Sequence, residues 1–302
     1  MRIALLGLGL IGGSIARALR EDPSGAGAFD RDPLHLVAWT PSSGAPREAL
    51  AAGLVDEAAR TIAEAVDGAG LVVLCVPTMA AAAILDELVI CRRSGRLLES
   101  AVVTDVSSTK RWIVAEAAKR GLRFVGGHPM VGGNETGFGS GDPRLFAGRP
   151  WVIVPGPNAG AGAALVERLA TSCGARPITM EAELHDAAVA GVSHLPLLLS
   201  AALVEAVAGG AAAEAPDGWR VAHLLASSDW AAATGLARGS DEAGTDIIAT
   251  NADEVRRHLR ALRDELERWD ARLAAVGRDP LGGKTDIRRR LAAARATLEE
   301  LG

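Results

Sequence analysis

Gly7-Leu8-Gly9-Leu10-Ile11-Gly12-Gly13-Ser14 follows the apolar run Ile3-Ala4-Leu5-Leu6 and leads straight into Ile15-Ala16-Arg17-Ala18-Leu19. This is GxGxxG in the setting that gives it meaning: a strand, a tight turn, then a helix. Gly7 permits the turn, Gly9 lets the backbone approach a pyrophosphate, and Gly12 allows the helix to pack closely on the strand. Leu10 and Ile11 open the helix, whose free N–H groups face the phosphate charge. Gly7, Gly9, Leu10, Ile11 and Gly12 are therefore read as a dinucleotide-binding turn.

Working outward, short β-like runs alternate with Ala-rich helical ones. Strands are expected at 3–7, 36–39, 71–76, 102–106, 123–127 and 151–154, with helical spacing at 11–20, 79–92 and 110–120. The strands are continuous apolar runs rather than alternating ones, which predicts a mostly parallel sheet covered on both faces. After Pro155 the pattern changes. One last β-like piece, 176–180, precedes long helical stretches at 181–207, 218–237, 240–276 and 286–301. The fold class is thus an α/β Rossmann domain with a parallel-rich sheet, followed by an all-helical domain. The change falls within 156–180, and the punctuation at Gly156-Pro157-Asn158 sets the expected domains at 1–158 and 159–302.

The bulk properties narrow the function classes. The 37 acidic residues outnumber 32 basic ones, leaving a net charge of −5. With no basic stripe, nucleic acid is excluded as an expected partner. Cys75, Cys91 and Cys173 are odd in number, scattered and without a CxxC pair. That pattern fits a reducing cytoplasm, and neither a disulfide frame nor a metal site is expected. Two segments mimic membrane elements. The N-terminal run resembles a signal peptide, but its glycines suit a nucleotide turn better. The stretch 195–213 is long enough to span a bilayer, yet Pro196, Glu205, Gly209 and Gly210 make it a buried interface helix instead. No membrane association is expected.

The second strand, ending at Trp39, is followed by Thr40-Pro41-Ser42-Ser43, with no acid to hold ribose hydroxyls. Asp30 and Asp32 precede that strand and read as loop surface. Thr40, Ser42 and Ser43 offer hydroxyls to a 2′-phosphate, so NADP is expected to be accepted at least as well as NAD. Val76 and Pro77 end the next strand, where such domains contact the nicotinamide side; a plain strand-to-helix turn explains them equally well.

Two further motifs sit at the C-terminal ends of strands, where open α/β sheets place their chemistry. The first is Thr104-Asp105-Val106-Ser107-Ser108-Thr109-Lys110. The second is Gly126-Gly127-His128-Pro129-Met130-Val131-Gly132-Gly133, continuing to Leu145-Phe146-Ala147-Gly148-Arg149. A third, Gly191-Val192-Ser193-His194-Leu195-Pro196, opens a long helix in the second half. In this order the motifs resemble prephenate dehydrogenases and their arogenate-specific relatives, from the glycine loop to Asn251.

The resemblance implies oxidative decarboxylation of prephenate or arogenate in tyrosine biosynthesis, with hydride transfer to NAD or NADP and pairing of subunits through the helical domain. His128 matches the family's catalytic histidine, which accepts the hydrogen bond of the ring 4-hydroxyl and takes its proton. Ser108 matches the serine that orients the hydroxyl and the histidine, and it also suits the N-cap of the following helix. His194 matches the first histidine of the family's SHLPH segment, at the cleft between domains. His35, His185, His223 and His258 read as surface or helix-face positions and receive no role.

Three departures stand out. The second histidine of SHLPH is Leu197, and the family's Met-Trp pair falls on Ala243-Gly244. The third concerns the arginine that grips a substrate carboxylate, whose position here is Gly235 in Thr234-Gly235-Leu236-Ala237-Arg238. Loss of a charge-assisted contact of that kind weakens binding by about 2–4 kcal/mol. Arg238, Lys110, Arg144 and Arg149 are the candidate replacement cations. The alternatives are an amino-substituted prephenate or related cyclohexadienyl substrate, a non-catalytic NAD(P)-binding sensor, and another two-domain Rossmann dehydrogenase of the β-hydroxyacid or imine-reductase kind. The uncharged face from Leu195 to Ala208 predicts a homodimer.

Overall fold

The computed structural model describes residues 1–21, 34–132, 135–209 and 218–301; Asp30, Asp32, Gly133 and Gly210 lie outside them. Eight strands form one sheet: β1 (Arg2–Leu6), β2 (His35–Trp39), β3 (Glu57–Ala58), β4 (Leu71–Leu74), β5 (Val102–Asp105), β6 (Phe124–Pro129), β7 (Pro150–Pro155) and β8 (Arg176–Thr179). Their order is β3-β2-β1-β4-β5-β6-β7-β8. All neighbours run parallel except β6 and β7.

The apolar runs explain the layering. Successive residues of a strand face opposite sides of the sheet, and β1 divides accordingly. Ile3 and Leu5 join one core with Ile15 and Leu19 of α1 (Leu10–Glu21) and Val166 and Leu169 of α6 (Gly162–Ser172). Ala4 and Leu6 join the other core with Leu85 and Leu88 of α4 (Ala81–Arg93) and Ile113 of α5 (Arg111–Lys119). Two short helices, α2 (Gly44–Ala51) and α3 (Ile62–Val66), complete this part. The N-terminal segment that mimics a signal peptide is therefore the central strand and its helix. From β1 the sheet grows first through β2 and then, on the other side, through β4. This reversal opens a crevice at their C-terminal ends, the place where open α/β sheets bind ligands.

The division expected after residue 158 falls inside this sheet layer, because α6 and β8 follow it and β8 pairs with β7. The extended piece at 176–179 is too short and too exposed to reveal from sequence which sheet it joins.

The helical half is more broken than its periodicity predicts. The stretch at 181–207 is α7 (Ala182–Val189), a widened turn at Ala190–His194 with i→i+5 bonding, and α8 (Leu195–Ala208). The stretch at 218–237 is α9 (Trp219–Leu225), α10 (Ser228–Thr234) and a tight turn at Gly235–Arg238. That at 240–276 divides at Asn251 into α11 (Asp241–Thr250) and α12 (Ala252–Val276), with the Ser240 side chain accepting the Ala243 N–H to start α11. Asn251 leaves the helical region at φ −130°, and its buried side chain is used in the site below.

Residues 253–302 form a separate compact unit. It is a helical hairpin of the remainder of α12 and α13 (Pro280–Leu301), held by Arg272–Asp286 at 2.9 Å, by an Arg290–Glu265 ion pair, and by the Arg290 guanidinium over Trp269. The last helix starts at Pro280 rather than 286, since proline suits the first helical turn and the Asp279 side chain accepts the Gly282 N–H.

At Gly7 (φ +108°) a Cβ would lie 2.2 Å from the carbonyl oxygen of Cys75, whereas at Gly9 it would meet nothing within 4 Å. Gly7→Ala is accordingly expected to lower the unfolding free energy by at least about 2 kcal/mol. Gly9→Ala is expected to change it by under about 0.5 kcal/mol. Urea denaturation of both variants checks this, and equal stabilities would refute the assignment.

Candidate active site

The dinucleotide cradle is built by the end of β1. The Gly7 N–H donates to the Trp39 carbonyl at 2.8 Å, which ties the turn to the end of β2. A Cβ on Gly12 would sit 2.3 Å from the Gly7 carbonyl oxygen, so the start of α1 rests on the turn. Open space at Gly9 and the unspent N–H groups of the first turn of α1 fit a diphosphate. Val76 and Pro77 follow β4, and the Val76 side chain lies 3.1 Å from the Cβ position of Gly7, on the same crevice.

Beyond β2, the Thr40 hydroxyl is buried without a hydrogen-bond partner among the described residues. Ser42 is exposed. Ser43 has φ +36°, and its hydroxyl and carbonyl accept from the Arg47 guanidinium at 2.8 and 3.1 Å. Arg47 lies a helical turn beyond the motif, so sequence reading of the hydroxyls missed it.

A second cavity, of about 400 Å³, is lined by Ser108, His128, Met130, His194, Leu197 and Ile247, among others. Ser108 follows β5, His128 ends β6, and His194 comes from the widened turn before α8. Wide turns of this kind often occur at functional sites. Ser108 does not cap α5: the N-cap position is Lys110, whose side chain makes no capping hydrogen bond. The capping acceptor is instead the Asp186 carboxylate of α7, which takes the backbone N–H groups of Lys110 at 2.7 Å and Arg111 at 2.9 Å.

Around this carboxylate lies a buried polar network. His128 Nδ1 is 2.8 Å from His185 Nε2, and His185 Nδ1 is 2.7 Å from Asp186 Oδ1. The Asn251 amide is oriented by Arg111, which donates to Oδ1 at 2.8 Å. Its nitrogen then donates to the Asp186 carbonyl at 2.8 Å and to His194 Nδ1 at 3.1 Å. His194 Nδ1 must therefore be the acceptor, which leaves the proton on Nε2. That Nε2–H is buried, the ring also interacts with the Ser108 backbone, and the side chain lines the cavity.

Burial, followed by the fields of His185, Lys110 and His194, holds the His128 pKa well below its ordinary 6.5. Burial likewise takes His194 down to about 4, against the opposing field of Asp186. For Asp186, burial works upward, but the hydrogen bonds from His185 and the two backbone N–H groups outweigh it and keep the carboxyl below its usual range. At neutral pH His128 and His194 are uncharged and Asp186 is an ionised carboxylate.

The cations expected to meet a substrate carboxylate are arranged differently. Lys110 is fully buried and its ammonium pairs with Asp105, itself fully buried. Asp105 also accepts the N–H groups of Ser107 and Gly127 at 3.0 Å, so Lys110 neutralises the acid that joins β5, the Ser108 loop and β6. It is structural and does not reach the cavity. Arg238 lines a neighbouring cleft with Trp219, His223 and Trp230. Arg144 and Arg149 are exposed and line neither cavity. His185, expected at the surface, is 1% exposed. The His185-Asp186 pair was legible in principle as adjacent polar residues in an Ala-rich helix. Nothing local distinguishes them from a solvated face.

Comparison with known proteins agrees with this geometry. Residues 35–179 match the family model for the prephenate dehydrogenase nucleotide-binding domain, and 181–281 match its dimerization domain. A probable prephenate dehydrogenase of Streptomyces niveus is 32% identical over 88% of this chain and 67% of its own length. The chain belongs to the prephenate dehydrogenase family. The prephenate dehydrogenase of Bacillus subtilis is 28% identical over 84% of the chain and 65% of its own length, so the chain spans about two thirds of these relatives. Among solved structures, the Synechocystis arogenate dehydrogenase superposes with a TM-score of 0.78 at 27% identity, covering 100% of both chains. An Aquifex aeolicus prephenate dehydrogenase, crystallised with hydroxyphenyl propionate and NAD+, gives 0.82 at 23% identity over 99% of this chain and 98% of that one.

At Gly235, where the sequence resemblance implies a carboxylate-gripping arginine, a Cβ would meet nothing within 4 Å. Among the described residues, the His128 cavity is lined by no lysine or arginine.

The lowered histidine pKa values set a pH dependence of stability. The unfolded chain protonates its imidazoles near 6.5, whereas the fold resists protonating His128 and, down to about 4, His194. The native state then binds fewer protons, so stability is full above pH 6.5 and falls as pH drops below it. Urea unfolding between pH 7 and 5 should lose up to about 1.4 kcal/mol per pH unit for each histidine. His194→Asn should flatten that slope, and pH-independent wild-type stability would contradict the assignment.

Proposed function

We propose that this protein is an NAD(P)-dependent dehydrogenase that oxidises and decarboxylates prephenate, arogenate or a close cyclohexadienyl analogue. The observation that carries this reading is the convergence of Ser108, His128 and His194 on one cavity at the edge of the sheet that bears the dinucleotide cradle. His128, uncharged and with Nδ1 engaged by His185, has Nε2 left for the ring 4-hydroxyl. Ser108 orients that hydroxyl. As the C–H bond at the same carbon breaks, His128 takes the hydroxyl proton, and the C–O bond becomes the carbonyl of the dienone. When bound, the nicotinamide accepts the hydride. Cleavage of the bond to the ring carboxylate releases CO2 and sends its electron pair through the ring to the dienone oxygen, and the resulting phenolate takes back the proton held by His128 to become the phenol. His194 offers its Nε2–H to an oxygen of the substrate.

With no cation lining the cavity among the described residues, a substrate whose side-chain ammonium offsets one of its two carboxylates, as in arogenate, is favoured over dianionic prephenate. We assign Arg238 no more than an outer role, from its adjacent cleft. A non-catalytic sensor is disfavoured by the intact Ser108, His128 and His194.

NADP is the preferred cofactor in this reading. No acid follows β2, and the Arg47 guanidinium bonded to Ser43 supplies a charge for a 2′-phosphate. Arg47→Ala should raise the KM for NADP about tenfold and leave that for NAD nearly unchanged. Initial rates with prephenate and arogenate, each paired with NAD and NADP, test the reaction. Turnover with neither substrate would refute it, and a clear preference for NAD would refute the cofactor assignment.

The activity is that of a cytoplasmic homodimer. By length and hydropathy Ala182–Ala208 is able to cross a membrane, yet His185, Asp186 and His194 build it into the site. In α8 only Ser200 is buried. Beside it lies an apolar cleft of about 600 Å³ lined by Leu197, Leu198, Ala201, Leu236 and Ile248, among others. A second copy covers this face. Light scattering at micromolar concentration should give twice the 31.0 kDa chain mass, and a monomer would overturn the assignment.

A further inference from the structure

His185 and Asp186 sit side by side on α7, 1% and 0% exposed, behind the histidine that meets the substrate. A base at His128 requires a free lone pair on Nε2. In a neutral imidazole either nitrogen can hold the proton, and only a hydrogen-bond partner decides which. We propose that His185 and Asp186 are positioning residues that fix the proton of His128 on Nδ1. This inference rests on the role given to His128 above.

The direction of the chain follows from what each atom is able to do. The Asp186 carboxylate only accepts; it already takes the N–H groups of Lys110 and Arg111, and the His185 Nδ1 at 2.7 Å must donate to it. With its proton on Nδ1, the His185 ring has an accepting Nε2. His128 Nδ1, 2.8 Å away, must then donate. This leaves the Nε2 of His128 with its lone pair. When His128 takes the substrate proton, the imidazolium donates through His185 toward the Asp186 charge, which stabilises it as the buried acid does in a Ser-His-Asp triad.

The other charged groups packed here do not compete. The Lys110 ammonium is paired with Asp105, Arg111 is directed at Asp186 and Asn251, and the His194 Nδ1 accepts from Asn251. Asp186 therefore governs two rings of opposite polarity. Through His185 it makes His128 an acceptor. Through its backbone carbonyl it helps orient the Asn251 amide, which makes His194 a donor.

The test uses His185→Leu, His185→Gln and Asp186→Asn in the full-length protein. His185→Leu removes the acceptor and should lower kcat by about 10- to 100-fold, with KM and cofactor affinity within about twofold. His185→Gln, whose amide oxygen is able to accept from His128 Nδ1, should recover most of that loss. Asp186→Asn is able to donate to His185 and so invert the chain; it should lower kcat by about 10²- to 10⁴-fold and alter the pH profile of kcat/KM.

A second measurement needs no turnover. In ¹⁵N-histidine spectra of the substrate-free wild type, His128 should show a protonated Nδ1 and an unprotonated Nε2, and Asp186→Asn should exchange them. A proton on Nε2 in the wild type, or wild-type kcat and pH profile in His185→Leu, would overturn the proposal. If the wild type turns over neither prephenate nor arogenate, the proposed reaction fails, while the ¹⁵N pattern still decides the tautomer.

Discussion

The buried carboxylate of Asp186 ties the catalytic half of this molecule together. It caps the start of α5, receives the proton of His185 and, through its main chain, anchors Asn251. An ionised acid removed from water is costly unless its oxygens are satisfied. Here backbone N–H groups, an imidazole and the edge of an arginine satisfy them. The groups that make the charge tolerable come from the loop after β5, from α7 and from the start of α5. The helical segment is thereby locked onto the sheet at the point where a reaction must be positioned.

A second buried acid plays a parallel part on the sheet side. Asp105 gathers the Ser107 and Gly127 N–H groups and the Lys110 ammonium, holding the Ser108 loop against the strand that presents His128. Neither acid is exposed. Both consume their cations internally. This explains how the cavity comes to have two neutral histidines and no lysine or arginine in its described lining. Such a site relies on oriented neutral donors and acceptors and less on charge.

The helical half shows why burial and function pull in one direction. The widened turn at Ala190–His194 interrupts an otherwise apolar helix and brings His194 to full burial. Past the turn, α8 is apolar and mostly uncovered, as expected of a surface completed by another subunit. The polar beginning of this continuous stretch thus serves the site, and its apolar end is the face assigned to the proposed dimer.

Sequence alone determined the parts that depend on local chemistry. GxGxxG between an apolar run and a helix specifies a dinucleotide turn, because Gly7 has no room for a Cβ and Gly9 needs open space. Continuous Val, Leu and Ile runs specify a covered parallel sheet, and the motifs around Ser108, His128 and His194 identified the family. Tertiary structure alone decided how polar residues distant in sequence pair. Lys110 reads as a free cation but is spent on Asp105, five residues away and equally buried. His185 reads as a helix-face residue but becomes the partner of His128, 57 residues earlier in the chain. Asn251 reads in sequence as part of a continuous helix and instead breaks it to hold His194. Helical periodicity reports which face is apolar. It does not report which polar side chain will find its partner across a fold, because that depends on contacts that exist only once the sheet and helices have packed.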